Sequence, residues 1–224
     1  MYAVLISLAV CAAPAPKAGT YVLTGGHGSL VLGQGHFAIE VLGANAHQCQ
    51  LDGAWAGQTG TVADATLPCV VKLVPAADGV EVSAVDAGQC ASYCGARAWF
   101  EGRYLTPPAG CGAAEVKQAR ARFTAQYQRK RFSEAVATLT PVIERCQKVL
   151  DRFESAWVRN DLALAQHHAG DDAACLRTLE PLSDYRDVPM EEVGGAEPSF
   201  TELHQKLARA TRTNARLCGY APKP

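Results

Sequence analysis

Nine cysteines carry the most obvious chemistry in this 224-residue chain. Cys11 lies in an N-terminal apolar run; the other eight are Cys49, Cys69, Cys90, Cys94, Cys111, Cys146, Cys175 and Cys218. An even set of cysteines in an exported chain reads as a disulfide framework. Structural zinc needs close-spaced thiolate or imidazole pairs. Cys90 and Cys94 form one such pair and no second follows, so disulfides are expected and a metal is not. His167 and His168 are adjacent and point to different helix faces, whereas a metal pair on a helix needs i,i+4 spacing. His27 and His36 follow glycine-rich stretches and read as hairpin-turn residues. Gly33-Gln34-Gly35 lacks the Gly-Lys-Ser/Thr of a phosphate loop, and Ser29 lacks a nucleophile elbow. Arg129-Lys130-Arg131 reads as a solvated corner. No carboxylate pair demands a catalytic role, so the expectation is a non-catalytic protein without a cofactor.

The rest of the composition is that of a globular chain: 48% hydrophobic, 19% charged and a formal net charge of −1. That charge offers no global pull toward nucleic acid. Residues 2–13 form an apolar run with the length of a signal-peptide core, too short to span a bilayer. Small-residue cleavage patterns follow it, although the usual basic start is missing. Residues 1–16 are therefore expected to be a signal peptide. Leu8-Ala9-Val10-Cys11 is similar to a bacterial lipobox, so membrane attachment is expected only if Cys11 is lipidated. The implied location is periplasmic or secreted, in a bacterial envelope.

Texture divides the remainder. Residues 19–110 are rich in Gly, Val and Thr, with seven acidic and three basic residues between Tyr21 and Pro108. Short alternating runs at 20–24, 29–32, 37–42, 70–74, 80–85 and 98–104 are separated by turn signals that include Gly25-Gly26, Asp52-Gly53 and Asp78-Gly79. This pattern predicts a small antiparallel β-barrel or sandwich. Pro107-Pro108-Ala109-Gly110 then punctuates the chain. Residues 111–220 show helical periodicity at 115–131, 133–153, 155–169, 171–182 and 200–218, with a loop over 183–199. Asp171 and Asp172 suit the start of the fourth helix. The fold class expected is α+β: a disulfide-tied β-domain followed by a bundle of about five helices.

Two segments of the helical half resemble tetratricopeptide repeats. The first holds Phe123, Tyr127, Phe132, Ala135, Leu139 and Pro141; the second holds Leu162, Ala163, Gly170, Cys175, Leu179 and Pro181. Each places a helix, a turn, then a small residue followed by a large apolar one. Small residues let paired helices approach closely, Ala163 against Cys175 in the second segment. Ala135 and Cys175 are offset by 40 residues, whereas the family repeats at about 34. The fifth helix would supply a third layer. The resemblance implies a groove lined by the first helix of each repeat. Carried over by position, it would expose Lys117, Arg120, Thr124, Tyr127 and Gln128 from the first repeat. The second repeat would add Trp157, Asn160, Asp161, Leu164, His167 and His168. Aromatic, amide and basic groups together suit recognition of an unidentified protein or peptide.

Helix levels also forecast disulfides. Antiparallel helices bring residues equidistant from their turn to one height, at about 1.5 Å per residue. Cys111 and Cys146 lie nearly equidistant from Lys130, and Cys175 begins one helix where Cys218 ends the next. The pairs expected are Cys111–Cys146, Cys175–Cys218, Cys49–Cys69 and Cys90–Cys94. The β-half, ending in Cys90-Ala91-Ser92-Tyr93-Cys94 and Trp99-Phe100, is similar in architecture to exported bacterial lysozyme inhibitors. It lacks the Ser-Gly-x-x-Tyr loop of one such family. The function expected is a scaffold that binds a protein through the helical groove; the alternative is inhibition or sensing of an envelope-attacking enzyme by the β-domain.

Overall fold

A computed structural model describes residues 14–25, 27–62 and 68–221; most of the expected signal segment, Cys11 included, lies outside the described residues. Eight strands follow one another: β1 Gly19–Leu23, β2 His27–Leu32, β3 His36–Leu42, β4 Gln48–Ala56, β5 Thr59–Val62, β6 Cys69–Ala76, β7 Gly79–Ala84 and β8 Gly102–Leu105. Each pairs antiparallel with its successor, and β8 returns to β1 to close the barrel. Alternation decides which side chains enter: Phe37, Ile39 and Val41 from β3, Val71 and Leu73 from β6, Val80 and Val82 from β7 all point into the buried core. The interior is filled by side chains, as expected for a barrel of this strand number.

Asp52-Gly53, expected to be a turn, lies inside β4, where Asp52 faces Ala38 and Gly53 faces Phe37 of β3. The glycine is needed for close approach rather than for turning, because a Cβ there would collide with the Thr61 carbonyl oxygen of β5. The expected strand over 98–104 shortens to β8, since Ala98 and Phe100 are spent as buried plugs of the barrel core.

Two disulfide expectations are corrected. Cys49 pairs with Cys94 rather than Cys69, and Cys69 pairs with Cys90. β4 and β6 are separated by β5, so Cys49 and Cys69 are not on neighbouring strands. Cys90 ends the single-turn helix α1, Ala87–Cys90, and a 3₁₀ turn over Ala91–Tyr93 carries the chain on to Cys94. This short segment thus links the starts of two strands. Cys94 also makes a bridge pair with Cys49 on β4. Cys111–Cys146 and Cys175–Cys218 are formed, the pairings the helix levels forecast.

The helical half comprises α2 Ala113–Gln128, α3 Phe132–Cys146, α4 Arg152–His168, α5 Asp172–Leu179, α6 Ser183–Arg186 and α7 Thr201–Leu217. The helix expected over 133–153 breaks after Cys146. Val149 and Leu150 turn into the core there, and the Asp151 carboxylate accepts from the Glu154 amide at 2.8 Å to begin α4. Asp171 caps α5 in the same way, through the Ala174 amide at 2.8 Å.

α2–α3 and α4–α5 are copies of one hairpin, 40 residues apart. Thr138 donates to Gln126 Oε1 and Thr178 to Gln166 Oε1, both at 2.8 Å. Ala135 and Leu139 match Cys175 and Leu179, all fully buried. The turns match as well: the amides of Arg131 and Asp171 close on the carbonyls of Gln126 and Gln166. Each turn places a left-handed residue one position earlier, Lys130 and Gly170.

Barrel and helices meet at the barrel's closing seam. Val22 pairs with Leu105 across β1 and β8. Their neighbours in sequence, Tyr21 and Tyr104, fill the barrel, while Leu105 and Val22 pack with Cys111, Val116 and Ala119 of the helical core. Leu105→Ala should lower stability by about 2–4 kcal/mol, read by urea denaturation of the oxidised protein. A non-reducing digest should yield peptides cross-linked as Cys49–Cys94 and Cys69–Cys90; Cys49–Cys69 peptides would contradict the strand order.

Candidate functional site

The first helix of each hairpin presents the residues expected to form the groove. On α2, Lys117, Thr124 and Gln128 are exposed and Arg120 and Tyr127 half-buried; on α4, His168 is exposed and Trp157, Asp161, Leu164 and His167 half-buried. The two stripes lie side by side and run parallel. Arg120 meets Asp161 at 3.4 Å, and Tyr127 meets the His168 ring edge-on, with centroids 5.7 Å apart. His168 also stacks on Phe132 at 4.8 Å. Burial pushes the Asp161 carboxyl up despite the Arg120 guanidinium, which draws it back down. The Nε of Arg120 is buried and finds no hydrogen-bond partner among the described residues.

Asn160 does not open onto this face and is corrected to a structural role. It is 3% exposed, because α7 covers it. Its amide donates to the Ala156 carbonyl and to Thr211 Oγ1, both at 3.0 Å. Asn214 donates to the Asn160 carbonyl and side-chain oxygen, also at 3.0 Å. Asn160 is the counterpart of Arg120 in the 40-residue repeat: each sends a polar group to the next layer. Trp157 packs against the core that contains Phe153 and Leu207. His167 Nδ1 and Asp172 are 2.6 Å apart. With Cys218 they place three ligand atoms within 4.8 Å, but that sulfur is bonded to Cys175.

A second feature was not legible as a site. A cleft of about 850 Å³ separates the barrel edge at Gly25 and Ala44 from α4, α6 and the loop that precedes α7. At its base, Glu197 is shared by Arg152 and His204, and the other His204 nitrogen lies 3.0 Å from the Tyr185 hydroxyl. Burial alone would raise the Glu197 carboxyl; hydrogen bonds from Arg152 and His204 outweigh it and hold it low. Gly194, at φ +79°, lets the loop lie on His204, whose Cβ would be 2.9 Å from any added Cβ. Arg159 also lines the cleft and is 8% exposed. A sequence signal exists for it: the residues three and four positions away on α4 are Ser155, Ala156, Leu162 and Ala163, so no carboxylate stands one turn away on its own helix.

His27 joins barrel to helices beside this cleft. Its ring lies 5.5 Å from that of Phe153, and its Nδ1 is 3.8 Å from Asp151. Burial lowers its pKa against the pull of Asp151.

No known protein family matches the chain, nor does any curated protein or solved structure. The class defined by the fold is an eight-stranded up-and-down barrel docked on a duplicated helical hairpin.

Asn160→Ala should cost about 1–3 kcal/mol, since it strands buried partners on α7; thermal unfolding measures it. The folded His27 binds its proton less readily than the unfolded chain, whose imidazole titrates near 6.5. Its contribution is complete above that pH and is lost as pH falls toward the lower folded value. Stability measured from pH 7.5 downward should therefore decline below about 6.5, and His27→Gln should flatten that decline.

Proposed function

We propose that this is an extracytoplasmic, non-catalytic binding protein that holds an extended segment of another protein on the α2–α4 face, in the manner of tetratricopeptide repeats. Four disulfides fit an exported protein. None of the described helices is long and apolar enough to cross a membrane. The observation that carries the reading is Arg120. A buried guanidinium N–H without a partner lies at the centre of a face whose other residues keep solvent access. The side chain as a whole is 36% exposed, so a carbonyl or carboxylate of a bound segment would meet the accessible edge of this incompletely paired guanidinium. Tyr127, Phe132 and His168 beside it offer rigid stacking area. The filled barrel interior leaves only an outer surface through which that domain could act.

The test is selection from a displayed peptide library with the oxidised protein. Enriched peptides should bind wild type and lose at least about tenfold in affinity, or about 1.4 kcal/mol, with Arg120→Met or His168→Ala. Failure to enrich any sequence, or full affinity in both variants, would remove the reading.

A further inference from the structure

Arg159 poses a separate problem. The residue is buried, at 8% exposure, yet no carboxylate lies within 4.0 Å of it among the described residues. Its single hydrogen bond among the described residues is a long one, 3.5 Å from Nη1 to the Thr178 carbonyl in the last turn of α5. That contact occupies one of five guanidinium donors. Burial already works against its charge, and no carboxylate offsets that cost. The other cation on this face of α4 is provided for: Arg152 holds Glu197 and lies over the Phe153 ring at 4.5 Å. Arg152, Ser155 and Arg159 follow at helical spacing and all line the cleft of about 850 Å³.

We propose that this cleft is a binding site for a short peptide with a free C-terminal carboxylate, which pairs with the guanidinium of Arg159. A cleft of this size at a domain junction suits a ligand of a few residues. Guanidinium presents a fork that matches a carboxylate in bidentate fashion. One buried cation balances one negative charge. Asp184, Glu192 and Glu197 also line the cleft; they oppose a phosphate dianion and suit the amino end of a peptide. Leu150, Leu182 and Val193 supply apolar wall for side chains. Ser155, between the two arginines, adds a hydroxyl. The site is independent of the α2–α4 face, so either can fail without the other.

The probe is a pooled tripeptide library with free C-termini, and the same library as C-terminal amides. Each is equilibrated with the full oxidised protein, and retained peptides are counted by mass spectrometry after ultrafiltration. Free acids should be retained at least tenfold over amides. Arg159→Gln should abolish that preference, as should Ser155→Phe, which obstructs the cleft while keeping Arg159. Arg122→Gln, a change at an exposed arginine of α2, should leave it unchanged. Inorganic phosphate at equal concentration should not displace the peptides. Equal retention of acids and amides, no retention of either, unchanged selection in Ser155→Phe, or displacement by phosphate would overturn the proposal. An Arg159 that merely caps α5 would alter unfolding in Arg159→Gln but give wild type no preference for the acid.

Discussion

The structure depends on what happens at the closing seam of the barrel. Two residue pairs join β1 to β8, and each strand there has one side chain to spend inward and one outward. Leu23 and Tyr104 go in, with the Tyr104 hydroxyl donating to the Phe100 carbonyl at 2.7 Å. Val22 and Leu105 go out and become part of the helical core. Closing the sheet and docking the helices are therefore one event. The Pro107-Pro108 linker is short, and Cys111, only a few residues later, is bonded to Cys146. The hydrogen bond from the Gly25 amide to the Lys148 carbonyl, at 3.2 Å, fixes the next point of contact along the same edge.

The duplicated hairpin solves a different problem. One helix pair cannot bury its apolar face alone, so layers must stack. α2–α3 stacks on α4–α5, and α7 closes the stack with Asn214 and Thr211 meeting Asn160. Polar groups buried between layers are tolerable because they satisfy one another. Arg120 holds the same repeat position one layer earlier, where its neighbour layer offers only Asp161 and the face stays open. The repeat thus ends in a closed polar joint on one side and an incomplete one on the other.

Charge placement around the junction follows the same logic. Arg152, Glu197, His204 and Tyr185 form a connected chain in which each polar group has a partner. Arg159, two turns along α4, is outside it. A buried network that is complete holds a fold together, whereas a buried cation without a carboxylate beside it is where a charge from outside the chain has most to offer.

Much of the architecture was legible along the chain because local rules dictated it. Alternation gave β3, β6 and β7; Pro107-Pro108 and the change to helical periodicity gave the boundary; Ala135–Leu139 and Cys175–Leu179 gave the repeat; and helix rise alone levelled Cys111 with Cys146. The departures arose where distant segments meet. Gly53 reads as a turn residue until β5 is laid against it. Cys49 and Cys69 read as partners until strand order separates them and α1 brings Cys94 and Cys90 to their starts. Asn160 reads as a groove residue until α7, which begins 41 residues later, covers it. Periodicity and spacing record how each segment buries its own face. Which polar group is met, and which remains unmet, is fixed only when non-neighbouring segments are brought into contact. The sequence by itself thus determined the two halves and their elements, and the tertiary structure alone decided that Asn160 is satisfied and that Arg159 is buried with no carboxylate beside it.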